Sequence, residues 1–304
     1  MRRSILLPFA PTQPEHVVPF AKLVQQAGAT RLWQGQGMVL ESHQLAAWLA
    51  GRGLRVPVGF GVSLMPFRSP YLAALEARST AMATGHPVVA GFGPGSAQLQ
   101  AALLGSPYRK PLQAARDYLR AVRGLLAGDA EQALVPAVAP PVQVGLGVLR
   151  PRMARLAGEA ADVAITWLCS ADYVRTTLIP SIRAAERTLE APVQVTAIVP
   201  CALADPDRDL TALVEAACGA HSRAPHYADV LRRSGVELRG APTRDAHRLA
   251  DSGVFLYGSA EDIHQRLDAY RAAGVDEVVL NVTGVASVYG PRAAARDLLA
   301  LLRA

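Results

Sequence analysis

Pro87-Val88-Val89-Ala90-Gly91-Phe92-Gly93-Pro94-Gly95-Ser96 is the stretch on which the fold is read. Four apolar residues form a buried strand that runs into a turn with glycine at every second position. Glycine at a strand end lets a ligand approach the backbone closely, and free N–H groups there suit an anion or a ring edge. Such glycines more often mark only a tight turn. Here the pattern recurs along the chain, each time ahead of a helix, so Gly91 and Gly93 become candidate contacts for a bound group.

Working outward, Ile5–Phe9, Arg31–Gln34, Val56–Met65, Val142–Leu146, Val163–Trp167, Val193–Val199 and Glu277–Val282 read as seven further strands. Helices are expected over Pro14–Gln26, Pro70–Thr84, Pro111–Ala127, Arg152–Ala161 and Pro291–Leu302, several with proline in the first turn and glycine after the last. Leu112, Ala115, Leu119, Val122 and Leu126 supply the helical stripe of the third. Another helix opens at Gly258-Ser259-Ala260-Glu261-Asp262, where Ser259 and Asp262 have capping-box spacing. Eight strands alternating with helices argue an α/β protein with a parallel sheet, and eight units in 304 residues fit a closed (β/α)8 TIM barrel. The expected organisation is one barrel domain over residues 1–304, with an irregular insertion at about 205–257 between the seventh and eighth strands, expected to fold over the strand ends as a mobile cover of short helices. A doubly wound open sheet is the alternative, but no G-x-G-x-x-G follows the first strand. In a barrel the active site lies at the carboxyl ends of the strands, which makes the strand-end residues site candidates.

Composition narrows the function. The chain is 51% hydrophobic and 18% charged, as a globular protein is, and has no apolar run long enough to span a membrane. Pro8 ends the first apolar run too early for a signal peptide, so a cytoplasmic location is expected. Cys169, Cys201 and Cys218 lack disulfide or zinc spacing, and the seven histidines include no H-E-x-x-H, so no metal is expected. The net charge of +6 is carried by scattered arginines, which suits an anionic cofactor or substrate. No alternation of aromatic and basic residues points to nucleic acid.

Several motifs together resemble the luciferase-like flavin- and deazaflavin-dependent oxidoreductase superfamily. Pro141-Val142-Gln143-Val144-Gly145 followed by Pro151 to Asp162, with its Leu156-Ala157-Gly158-Glu159-Ala160-Ala161-Asp162, is similar to that family's fifth strand and helix. Gly258 to Ile263 and Tyr270 to Glu277 resemble its closing helix and turn, and Tyr108 to Gly128 its fourth helix. The resemblance spans essentially the whole chain. More narrowly, Leu32-Trp33-Gln34-Gly35-Gln36 and Gly59 to Pro66 look like the lanthipeptide dehydroamino acid reductases within the superfamily.

The resemblance implies a flat tricyclic cofactor in the barrel mouth. Its ring would rest on a bulge ending strand three, matched by Gly61-Val62-Ser63, often with a non-proline cis peptide. Its phosphate would sit on the turn after strand five, matched by Gly145-Leu146-Gly147-Val148-Leu149-Arg150, aided by N–H groups at the start of the following helix. Arg150 departs from the family's Gly-Pro and adds a charged partner for an anionic tail. Strands two and four end in Trp33-Gln34-Gly35-Gln36 and Phe92-Gly93-Pro94-Gly95, where alcohol-oxidising members tend to carry an acid or base. Neutral amides orient a carbonyl but take no proton from an alcohol, so the site is read as built for reduction. A base from elsewhere, such as His43, His226 or Tyr71, stays open.

The expected activity is coenzyme F420-dependent hydride transfer to an activated C=C bond, that of dehydroalanine or dehydrobutyrine in a ribosomally made peptide. Gln34 and Gln36 are the candidate carbonyl-polarising catalytic residues, and Trp33 and Trp167 the candidate substrate walls. Two alternatives remain, an FMN-dependent monooxygenase and a non-catalytic flavin-binding protein. Expected partners are a modified peptide or a small alkene, and a homodimer is left open.

Overall fold

The computed structural model describes residues 1–128, 133–186 and 191–303. Nine strands form one sheet: β1 (Arg2–Leu6), β2 (Leu32–Gln34), β3 (Val58–Leu64), β4 (Val88–Gly93), β5 (Val142–Gly147), β6 (Val163–Trp167), β7 (Gln194–Leu203), β8 (Leu256–Gly258) and β9 (Glu277–Asn281). Every pairing is parallel. β1 to β7 follow in order, and β9 closes the ring between β7 and β1. The eight strands read from the sequence are the eight staves of this TIM barrel.

The ninth strand was not anticipated. β8 is three residues long, too short to carry a period, and it pairs with Cys201, Ala202 and Leu203 at the end of β7. β1 also starts earlier than expected, because the backbone of Arg2 to Ile5 pairs with Glu277 to Leu280. The segment read as irregular is mostly helical. Helices occupy Leu210–Val214, Pro225–Arg233 and Pro242–Asp251, and the first runs on through a wide turn to Ser222. Pro225 and Pro242 stand at the first helical positions, where a missing N–H costs nothing, so they start helices instead of breaking them.

Inside the barrel, large side chains fill spaces left by glycines on neighbouring strands. A Cβ on Gly59 or Gly61 would lie 2.7 or 3.0 Å from the Trp33 ring. One on Gly91 or Gly145 would lie 2.3 or 3.0 Å from Ile165 Cδ1. One on Gly93 or Gly147 would lie 2.8 or 3.2 Å from the methyls of Val62. The pattern climbs from the amino to the carboxyl end of the barrel, each residue seated on a glycine pair. Trp33, Val89, Val163, Ile165, Ile198 and Val279 form this inner cluster, and a larger apolar shell lies between strands and helices.

At the amino end, buried Glu277 accepts hydrogen bonds from Ser4 Oγ and Trp33 Nε1, both at 2.7 Å. Arg31 Nε lies 3.1 Å from the same carboxylate. Burial lowers the Arg31 pKa, and the neighbouring Arg2 charge adds to that, while Glu277 opposes both. Among the described residues no helix is long and apolar enough to cross a membrane.

Candidate active site

β2, β3, β5 and β6 bring their carboxyl ends to one mouth. Its floor is made by Leu6, Val62 and Trp167, partly buried side chains that pack on the inner cluster. Val62 belongs to a bulge: Phe60 pairs with Ala90 and Ser63 with Phe92, so Gly61 and Val62 together face Gly91. The Gly61–Val62 peptide is cis. Ser63 is buried behind the bulge.

Two buried donors at the ends of β2 and β6 have no partner among the described residues. Gln34 is 3% exposed, and its Nε2 makes no hydrogen bond. Trp167 Nε1, at the end of β6, is equally buried and unbonded. An unsatisfied buried donor costs about 1–3 kcal/mol, so a pair of them at a strand-end mouth points to a ligand carrying acceptors.

The structure separates the other candidates. Gln36 does not face the mouth with a free amide. Its Oε1 accepts from the Leu64 backbone N–H at 3.0 Å and its Nε2 donates to the Gly37 carbonyl at 3.0 Å, which ties the loop after β2 to the end of β3. Trp33 is no substrate wall: it is fully buried and bonded to Glu277 at the opposite end of the barrel. Leu146 and Val148 point into the shell between strands and helices. Gly91 and Gly145 pair with each other, and Ile165 fills the space before both, so they serve packing one layer below the mouth. Gly93 and Gly147 make room for Val62, which gives their lack of a side chain a different reason from the approach of a phosphate. Gly147, Leu149 and Arg150 remain on the accessible turn.

That turn leads into the helix Pro151–Ala160, which offers few free N–H groups. Pro151 has none, and those of Met153 and Ala154 bond to the Arg150 carbonyl at 3.0 and 2.9 Å. The helical segment after β7 closes over this side. His221 stands edge-on to Trp167 at 5.6 Å and to Tyr227 at 5.3 Å, and His226 lies against Tyr227. Burial lowers the pKa of both imidazoles. The charge of Arg150 adds to this at His226, and His226 adds to it at His221. Sequence reasoning missed His221, since nothing local links it to a tryptophan on β6.

His43 is set apart from the mouth. Its ring lies 4.0 Å from the outward-facing Phe60, and its Nδ1 is 2.9 Å from Glu41 Oε1. Glu41, His43 and Glu76 converge as metal ligands do, but Arg68 sits among them, 3.1 Å from Glu76 and 3.6 Å from Glu41. The guanidinium supplies the positive charge an ion would bring. Glu41 also caps the helix Ser42–Gly51 through the N–H groups of His43 and Gln44. Burial would raise the Glu41 carboxyl, but its hydrogen bonds and the charges of His43 and Arg68 outweigh that and hold it at about 2. A carboxylate depressed from 4.5 stabilises the fold above that pH and loses the contribution as pH falls toward 2. Glu41→Ala should therefore cost about 1 kcal/mol near neutral pH, as lost caps do. Thermal unfolding of both proteins should converge as the pH drops below 4.5. A difference that persists in acid would sever the link to ionisation.

A closed parallel barrel with a bulged third strand and two unpartnered buried donors at its strand ends defines an α/β barrel with a candidate ligand site. The family model described as luciferase-like monooxygenase matches residues 1–277, and the chain belongs to that family. No curated protein matches it significantly. Similar solved structures include the coenzyme F420-dependent tetrahydromethanopterin reductase from Methanopyrus kandleri, with a TM-score of 0.74 and 17% identity over 99% of this chain and 98% of that one. An F420-dependent secondary alcohol dehydrogenase in complex with an F420-acetone adduct gives 0.73 and 12%, over 99% and 98%. EDTA monooxygenase from Chelativorans sp. BNC1 gives 0.73 and 15%, over 99% and 92%. At these identities the likeness is one of fold.

Proposed function

We propose that the chain is a coenzyme F420-dependent reductase of an activated C=C bond, with the dehydroalanine or dehydrobutyrine of a modified peptide as its substrate class. The observation that carries the reading is the pair of buried, unpartnered donors, Gln34 Nε2 and Trp167 Nε1, at the carboxyl ends of strands of the barrel whose third strand is bulged. Leu6, Val62 and Trp167 fit a flat ring laid across the mouth. When bound, the reduced deazaflavin would supply a hydride to the β-carbon, and a proton from solvent would complete the reduction at the α-carbon.

Gln34 and Trp167 bind and orient. Their N–H groups donate to acceptors on the ring or to the amide carbonyl beside the double bond, where negative charge develops as hydride arrives at the β-carbon. Neither takes a proton, and the ends of β2 and β4 carry no titratable side chain, which favours reduction over alcohol oxidation. Leu6, Val62 and the helices after β7 exclude water. The net charge of +6 favours a polyanionic cofactor over FMN, and two enzymes of the same fold are F420-dependent.

Absorbance titration of the pure protein with F420 and with FMN tests the cofactor. Tighter F420 binding is expected, whereas tighter FMN binding with substrate-dependent oxygen uptake would replace this reading with a monooxygenase. Incubation with the reduced coenzyme and a dehydroalanine-containing peptide should add two hydrogen masses to the peptide. If simple enones are reduced and the peptide is not, the peptide assignment fails.

A further inference from the structure

We infer that Arg150, Arg232 and Arg233, gathered on Asp229 above the turn after β5, form a second anion site that takes the carboxylate-bearing tail of the cofactor beyond its phosphate. The inference rests on the F420 reading above and adds residues from a different part of the chain. Arg150 Nε lies 3.0 Å from Asp229 Oδ2, Arg232 Nη2 2.6 Å from Oδ1, and Arg233 Nε 3.0 Å from Oδ2. Arg150 comes from the turn after β5, and the other two from the last turn of the helix Pro225–Arg233. Among the described residues these three guanidiniums share the one carboxylate, which leaves two positive charges over.

The cluster is anchored to the turn. Tyr173 donates from its hydroxyl to the Leu149 carbonyl at 3.1 Å, next to Arg150 in the chain. Asp229 is mostly shielded, while the three guanidiniums are open to solvent. Exposed ion pairs contribute little to stability, so the arrangement matters through the position of its charge. The start of the following helix adds little for an anion, because Pro151 lacks an N–H and those of Met153 and Ala154 bond to the Arg150 carbonyl. Side-chain cations must therefore supply what the helix start does not. Asp229 acts as an internal counter-ion: it orients the guanidiniums and competes with the incoming carboxylates.

Fluorescence titration with two probes tests this, intact F420 and the same cofactor cut back to its phosphodiester. Wild-type protein should bind the intact form more tightly. The Arg232→Gln/Arg233→Gln double variant should bind intact F420 about five- to tenfold more weakly, with a shallower salt dependence, because two charge-assisted contacts are gone. Its affinity for the truncated probe should stay unchanged, which also shows that the variant folds. Asp229→Asn should tighten intact F420 about two- to threefold by removing a competing charge. Equal wild-type affinity for the two probes, or a double variant that weakens both equally, overturns the tail site and leaves the cofactor reading standing. Wild-type protein that binds neither probe removes both.

Discussion

Replacing Glu277 with leucine should destabilise the protein by about 3–5 kcal/mol, the range found when one partner of a buried ion pair is removed. The carboxylate is 1% exposed and serves four groups: the Ser4 hydroxyl, the Trp33 indole and the Arg31 and Arg2 guanidiniums. Arg31 is itself buried, and its Nε and Nη1 make no well-directed hydrogen bond even with Glu277 present. Leucine would leave that charge without a counter-ion and two further donors without an acceptor. Glu277→Gln keeps an acceptor for Ser4 and Trp33 and should cost less. Urea unfolding measures both, with leucine worse than glutamine and both worse than wild type. A leucine variant within about 1 kcal/mol of wild type would mean that water or a rearranged Arg31 relieves the charge. Trp33 ties the effect to the mouth, because Val62 and Trp167 rest on the cluster that Trp33 helps to build.

A side chain at Gly91 should be almost as damaging. A Cβ there would lie 2.4 Å from the Phe60 carbonyl oxygen and 2.3 Å from Ile165 Cδ1. Ile165 can rotate its terminal methyl, but the carbonyl oxygen is part of the backbone of β3 and cannot yield without moving the strand. Overpacking a core of this kind costs about 1–3 kcal/mol and sometimes more. Gly91→Val should lie at or beyond the upper end of that range, read by thermal unfolding, and should also weaken cofactor binding, since Phe60 immediately precedes the bulge. Gly28→Ala is the contrast. Nothing lies within 4 Å of the added Cβ, so only its φ of +78 resists the change. If Gly91→Val melts with wild type, the glycine at this position serves the ligand and not the packing.

The alternation of strands and helices was legible because it depends on local pattern. Val88–Gly93 announces itself by its apolar run, and Ser259 with Asp262 by the capping spacing, which the structure realises with both reciprocal hydrogen bonds. The resemblance at Gly61-Val62-Ser63 located a bulge, and the β3–β4 register shifts there. The roles of the individual candidates were less legible. Gln34 and Gln36 look alike in sequence, two residues apart on an ending strand. One keeps a free, buried amide nitrogen, and the other spends both ends of its amide on Leu64 and Gly37. Trp33 and Trp167 likewise separate into a buried core ring and a mouth residue only once the strands are placed.

The sequence by itself determined the barrel and, through the resemblance of its motifs, the family. These follow from hydrophobic period, turn residues and motif order, all of which act over a few residues at a time. The tertiary structure alone decided which glycine faces which side chain, because that depends on the stagger between strands as the sheet closes. Gly91 meets Ile165 across the intervening β5, Gly147 meets Val62 across β4, and Gly93 meets Val62 on the adjacent strand, in a register no single segment encodes. It also decided that Arg150, on one loop, and Arg232 and Arg233, on a helix far along the chain, share one carboxylate. Charge acts through space, and only closure of the barrel with the helices after β7 folded over it brings those residues within its range.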